Sequence, residues 1–248
     1  MRDKNPTWSD KYFINWHEAD FKGNASLTTI CNFLQETAWR NAEHLGFGYS
    51  ELDKNKRIWV VLRWLIKMEK YPKWRDEIIL ETWPRPPEKL FALRDYQIKS
   101  MDGEVLGAAS STWLVVDANT HRPQKPDFLR NVLHLTNDRM AVGKNADRIK
   151  IPDGMELKHS HRVVISEIDN YGHVNNARYV EWAMNLFGKD FLGDRMIKEF
   201  QINFLNEAKF GQEIEMFLKQ ESEDDYTVVA IRKSDQKNIF VAKLIFEK

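Results

Sequence analysis

Residues 20–46, DFKGNASLTTICNFLQETAWRNAEHLG, decide how the rest of the chain is read. From Ser26 onward, Leu27, Ile30, Leu34, Ala38, Ala42 and Leu45 recur at spacings of three and four, which places them on one face of a helix. Gly46 supplies the stop. Upstream, KYFINW (11–16) alternates like a strand and EADFKGNAS (18–26) reads as a loop. Downstream, four strand candidates follow: IWVVLRWLIKM (58–68), EIILETW (77–83), LFALRDYQIKS (90–100) and EVLGAASSTWLVVD (104–117). The segments between them, YPKW, PRPPE and MDGE, carry the proline or glycine that turns require. The order is strand, long helix, then a meander of strands.

Residues 118–155 interrupt this pattern with three prolines, polar clusters and no sustained period, and read as a linker with a short helix around DFLRNVLHL (127–135). Then the order begins again. HRVVIS (161–166) reads as a strand, DNYGHVNNARYVEW (169–182) opens a helix expected to reach about Gly188, and MIKEFQINFL, EIEMFLKQ, YTVVAIRKS and IFVAKLIFEK alternate as four strands. The letters recur with the order. Asp20 and Gly23 match Asp169 and Gly172 at an offset of 149, and WRDEI (74–78) matches FGQEI (210–214) at an offset of 136. Chance likeness of two helix-then-meander domains is the alternative to be weighed. The reading adopted is an α+β chain of two tandem copies of one unit, each a helix wrapped by an antiparallel sheet. Its boundaries are 1–118 for the first copy, 119–155 for the linker and 156–248 for the second.

The copies differ where chemistry would reside. The slot of His173 holds Asn24 in the first copy, and the slot of Glu207 holds Tyr71. A helix start offers unpaired N–H groups and a positive dipole end, and a carboxylate plus an imidazole is a sufficient kit for activating water. Asp169 could fix the tautomer of His173 or cap the helix, and Asn175 and Asn176 could add amide donors. Each has an ordinary structural reading as well: Asp169 or Asn170 as an N-cap, His173 as a solvated residue, Glu207 as a surface acid on a strand turn. Their joint presence in one copy and joint absence from the other favours function.

Composition removes several classes. The 37 basic and 37 acidic residues cancel, so no global field concentrates nucleic acid or anionic membrane. No run approaches the roughly 18–20 apolar residues of a membrane span, and MRDKNPTWSDKYF lacks the apolar core of a signal peptide. The expectation is a cytoplasmic protein without membrane insertion. Cys31 is the sole cysteine, which excludes an internal disulfide. His17, His44, His121, His134, His159 and His161 show no metal-ligand spacing, and HSH (159–161) is read as placing its histidines on alternating faces of a strand, so no metal is expected.

Nearly the whole chain resembles the acyl-acyl carrier protein thioesterases, bacterial relatives of the plant enzymes, built as two tandem hotdog domains. The first half carries the likeness in SLTTICNFLQETAWRNAEHLGFG, in the tryptophan-rich WVVLRWLIKMEKYPKWRDEIILETW and in ALRDYQI. The second carries it in DNYGHVNNARYVEW and the NEAKFG turn. The resemblance implies a first domain that shapes an acyl pocket and a second that carries the catalytic acid, histidine and glutamate, at Asp169, His173 and Glu207. The family's asparagine slot reads Tyr171 here, so Tyr171 or a neighbouring amide (Asn170, Asn175 or Asn176) takes that role, or the substrate is oriented differently. Ala208 stands where plant members have a cysteine, which leaves no thiol nucleophile.

The implied reaction is hydrolysis of a fatty acyl thioester to free acid and carrier thiol, with Glu207 as general base for water or, alternatively, as direct nucleophile, and no cofactor. The implied partner is acidic acyl carrier protein. Arg122, Lys125, Arg130, Arg139, Lys144, Arg148 and Lys150, against Asp127, Asp138 and Asp147, form a candidate docking face, although a solvated linker gives the same charges. The alternatives are an acyl-CoA thioesterase, a hotdog dehydratase, disfavoured because its histidine and acid sit on opposing copies, and a non-catalytic acyl-binding hotdog protein. Either a monomer or a homodimer suits the pattern.

Overall fold

A computed structural model describes residues 5–125 and 133–248. The chain forms two compact units, Met1–Ala146 and Asp147–Lys248. In the first, strand β1 (Trp8–Phe13) leads through a 3-10 turn at Trp16–Glu18 into helix α1 (Leu27–Leu45) and the short α2 (Tyr49–Lys54). Strands β2 (Arg57–Met68), β3 (Glu77–Glu88), β4 (Phe91–Ser100) and β5 (Val105–Asp117) complete it, with a two-residue β6 (Pro123–Gln124) on the end of β5. The antiparallel order is β1-β3-β4-β5-β2.

Helix α1 begins where Ser26 accepts the Thr29 N–H and ends at Gly46, whose φ of 88° is the left-handed conformation that glycine adopts without a Cβ clash. All six apolar positions read from the sequence are buried, as is Cys31. Each leucine or isoleucine so covered contributes about 1.5–3 kcal/mol. Trp64, Trp83 and Tyr96 are buried on the sheet below.

The second unit repeats the plan. Strand β7 (Glu156–Arg162) precedes a 3-10 turn at Ile165–Glu167, then helix α3 (Asn176–Met184) and the short α4 (Lys189–Gly193). Strands β8 (Met196–Phe204), β9 (Glu213–Gln220), β10 (Asp225–Arg232) and β11 (Lys237–Glu247) follow, in the order β7-β9-β10-β11-β8. Strand for strand, this is the topology of the first unit. The Tyr179 ring on α3 lies 6.0 Å from Phe204 and 5.6 Å from Phe240, which seats the helix on β8 and β11.

Five expectations need correction. The strand expected over 11–16 runs instead over Trp8–Phe13, because the chain tightens into the 3-10 turn at Trp16–Glu18. PRPPE, expected as a turn, is the end of β3, which runs on to Glu88. The strand expected over 161–166 ends at Arg162, because the chain there tightens into a 3-10 turn closed by Val164 N–H on Glu167. The helix expected near His173 begins only at Asn176 and stops at Met184, and its cap is Asn175, not Asp169 or Asn170. His159 and His161 share a face, their rings stacked 6.5 Å apart, because residues two apart in a strand point the same way. Among the described residues no cluster of three histidine, cysteine or acidic side chains could hold a metal. The helix expected around 127–135 lies mostly outside the described residues, of which Leu133–Leu135 forms a 3-10 turn.

Residues 137–146 bond to the first unit: Trp83 donates its indole N–H to the Arg139 carbonyl, and the Ala141 N–H donates to Asp95. Asp147 and Ile149 bond instead to Asn203 of β8.

Candidate active site

The loop that closes on α3 is built from a carboxylate-capped turn. Asp169 Oδ1 accepts the N–H groups of Tyr171 (2.8 Å) and His173 (3.4 Å), its own N–H donates to the His173 carbonyl, and Gly172 turns the chain at a φ of 78°. Asp169 therefore shapes the backbone that carries His173. Asn170 and Tyr171 sit exposed at the tip of this turn, Asn175 Oδ1 accepts the Ala177 N–H, and Asn176 is the first residue of α3.

Glu207 reaches the same place from the turn between β8 and β9. The Val174 N–H donates to the Ala208 carbonyl at 2.9 Å, so the residues following His173 and Glu207 are tied together by one buried bond. The side chains then meet, with His173 Nε2 3.1 Å from Glu207 Oε2. The imidazole is largely enclosed at 19% exposure and the carboxylate is open to solvent at 43%. A carboxylate that water can reach, held beside an imidazole, can take a proton from that water while the ring orients it.

The first unit has the same backbone without the chemistry. Asp20 Oδ1 accepts the N–H of Lys22 and Asn24, the Asp20 N–H donates to the Asn24 carbonyl, and the Ala25 N–H donates to the Pro72 carbonyl. Asn24 and Tyr71 occupy the slots that hold His173 and Glu207 in the second unit. Burial pushes the Tyr71 hydroxyl far above its ordinary value, so the slot holds a neutral group. Cys31 is fully buried and its thiol is pushed up by that burial, which removes it as a nucleophile.

Sequence reasoning missed two residues at this site. The Ala208 N–H donates to the Tyr179 hydroxyl at 2.9 Å, and Arg232 Nη1 donates to the Glu207 carbonyl at 3.0 Å. Tyr179 falls on the buried stripe of α3 and passes for core, and Arg232 ends a strand and passes for surface.

Of the basic positions on the candidate docking face, Arg122, Lys125, Arg139, Lys144, Arg148 and Lys150 are exposed, and Arg130 lies outside the described residues. Arg139 lies over the Trp83 ring at 3.8 Å and 3.7 Å from Glu81.

Residues 5–130 match the acyl-ACP thioesterase N-terminal domain and residues 152–248 match the acyl-ACP thioesterase C-terminal domain. The chain belongs to the acyl-ACP thioesterase family. It is 26% identical over 242 residues to the chloroplastic oleoyl-acyl carrier protein thioesterase of Coriandrum sativum, covering 91% of this chain and 66% of that protein. Over 188 residues it is 31% identical to the chloroplastic palmitoyl-acyl carrier protein thioesterase of Cuphea hookeriana, covering 70% of this chain and 45% of that protein. The chain thus spans at most about two thirds of the length of these plant members of the family.

Two solved acyl-ACP thioesterase structures share the fold. That from Bacteroides thetaiotaomicron has a TM-score of 0.90 at 25% identity, with both chains covered completely. The 12:0-ACP thioesterase of Umbellularia californica has a TM-score of 0.88 at 20% identity, with 98% of each chain covered. The two helix-on-sheet units are accordingly hotdog domains of the acyl-ACP thioesterase type. No described helix is long and apolar enough to cross a membrane.

Proposed function

We propose that this chain hydrolyses fatty acyl-acyl carrier protein thioesters, with Glu207 as general base. The observation that carries the reading is the 3.1 Å approach of His173 Nε2 to Glu207 Oε2 in one unit, against Asn24 and Tyr71 in the other. Family membership supports the substrate class. Glu207 takes a proton from water as the water oxygen attacks the thioester carbonyl carbon. The amide-rich start of α3 receives the developing oxyanion, where each well-aimed donor is worth roughly 10² to 10³ in rate. Collapse of the tetrahedral intermediate breaks the C–S bond. The thiolate leaves with a proton returned from Glu207, giving free fatty acid and carrier thiol.

His173 orients the water and the carboxylate, and Asp169 acts through the turn it caps. Asn170 and Tyr171 lie exposed at the tip of the turn that carries His173, and Tyr171 occupies the amide slot of the family pattern. The first unit chiefly shapes the acyl pocket, the second is catalytic, and Arg122, Lys125, Arg139, Lys144, Arg148 and Lys150 contribute to carrier docking in the cytoplasm.

The test is thiol release from acyl-carrier-protein thioesters of graded chain length, with wild type and Glu207→Gln. Turnover falling by at least about 10² in the variant is the expected result for a lost general base. An undiminished variant removes Glu207 from the mechanism. No turnover by wild type on any carrier thioester or acyl-CoA favours an acyl-binding protein instead.

A further inference from the structure

We infer that Tyr179 and Arg232 are positioning residues that aim Glu207 at His173. This deepens the reading above and rests on Glu207 being the base. The Glu207 carbonyl and the Ala208 N–H belong to one peptide group, and the protein grips both ends of it. Arg232 Nη1 donates to the carbonyl at 3.0 Å, and the Tyr179 hydroxyl accepts the N–H at 2.9 Å. Arg232 is itself fixed by a forked pair with Asp235, Nε to Oδ1 at 2.9 Å and Nη2 to Oδ2 at 3.0 Å. Tyr179 is buried among Trp182, Phe204 and Phe240. A peptide plane pinned at both ends fixes the backbone torsions beside it, and with them the direction in which the glutamate side chain leaves the chain. Such control matters for a carboxylate that is 43% exposed, because solvent does not hold it in one rotamer.

The first unit supplies the internal comparison. Its turn makes the same backbone bonds: Ile14 N–H to Asp76 and Arg75 N–H to Ile14 correspond to Val163 N–H to Gln212 and Gly211 N–H to Val163. Yet the slot of Tyr179 holds Ile30 and the slot of Ala208 holds Pro72, which has no N–H to place. The slot of Arg232 holds Ser100, since Ser100 pairs with Ile78 as Arg232 pairs with Ile214. The turn therefore folds without these groups. Donor, acceptor and guanidinium occur together only in the copy that has an acid to aim, which separates positioning of Glu207 from construction of the turn.

The deciding experiment measures kcat and KM on an acyl-carrier-protein thioester for Tyr179→Phe, Arg232→Met and Arg232→Lys, each also combined with Glu207→Gln. Phenylalanine keeps the ring contacts of Tyr179, and lysine keeps one donor toward the Glu207 carbonyl. The expected result is a 10-fold or greater fall in kcat for Tyr179→Phe and Arg232→Met, KM within twofold, and partial recovery in Arg232→Lys. In the Glu207→Gln background the same substitutions are expected to change the residual rate by less than twofold. Full kcat in Tyr179→Phe and Arg232→Met beside a dead Glu207→Gln overturns this inference alone. An equal fall in both backgrounds also overturns it, because the effect then bypasses Glu207. A fully active Glu207→Gln overturns the catalytic reading as well. Should Tyr179→Phe melt below the assay temperature, the two Arg232 variants decide by the same criteria.

Discussion

Glu167 takes no part in the proposed reaction, yet three parts of the second unit converge on it. His161 Nε2 lies 2.9 Å from one of its oxygens, Trp182 of α3 donates its indole N–H at 2.8 Å, and the Val164 N–H donates at 2.8 Å. Burial pushes this carboxyl up, but the bonds from His161, Val164 and Trp182 outweigh burial and hold it below its ordinary value of about 4.5. A carboxyl depressed in the folded state adds stability that is present above its unfolded value and is lost as pH falls through the folded one. Glu167→Gln is therefore expected to cost about 1–3 kcal/mol at pH 7, the usual penalty for weakening bonds to a charged acceptor. Urea denaturation of both proteins should show the gap narrowing as pH drops below about 4.5, and a gap constant down to pH 3 refutes the assignment. The repeat makes the residue intelligible. Its counterpart Glu18 accepts the Asn15 N–H at the same 2.8 Å, but where the second unit has His161 and Trp182 the first has the stacked pair Tyr12 and Phe33.

At the scale of elements, the two principal helices differ in length and in what their caps do. Helix α1 runs from Leu27 to Leu45 and its cap Ser26 serves the fold, whereas Asn175, cap of the nine-residue α3, sits two residues from His173. Ser26→Ala removes the acceptor of the Thr29 N–H and should cost about 0.5–2 kcal/mol while leaving kcat/KM unchanged. A thermal melt beside the thiol-release assay checks both halves, and a matching loss of kcat/KM would tie the first unit's cap to catalysis.

The contrast also marks what the sequence made legible. The stripe from Leu27 to Leu45, the stop at Gly46 and the β9 boundaries were readable because period and punctuation agree there. The start of α3 is not legible, since Asp169, Asn170, Asn175 and Asn176 are all capping types and only geometry shows which side-chain oxygen meets which N–H. His173 and Glu207, whose side chains the fold brings together, stand out in the letters only when the copies are compared. The same offsets set Tyr179 against Ile30 and Ala208 against Pro72, so the support of Glu207 was present in the letters. Those letters do not announce it, because a tyrosine on a buried stripe carries no chemical signal until its hydroxyl meets an N–H in the fold.

At the scale of the whole molecule, one unit made twice asks whether the ionisable pair alone converts a scaffold into a site. Grafting Asn24→His and Tyr71→Glu into a Glu207→Gln chain places the pair on a turn whose backbone bonds match those of the second unit. The expected result is no turnover above the Glu207→Gln parent. Pro72 offers no N–H, Ile30 no hydroxyl and Ser100 no guanidinium, so the peptide carrying the new acid is ungripped. The slot also resists charge: burial already drives the Tyr71 hydroxyl upward, and a carboxyl there would be driven the same way, toward its neutral and non-basic form. Stability should fall by about 1–3 kcal/mol, the cost of a polar group with incomplete partners in a protein interior. Steady-state thiol release and urea denaturation of the grafted chain measure both quantities. A graft that turns over within tenfold of wild type would mean that the shared turn is sufficient and that Tyr179 and Arg232 are incidental to it. A stable but inactive graft would mean that the ionisable pair alone does not convert the shared turn into a site, because its acid is ungripped, uncharged or both.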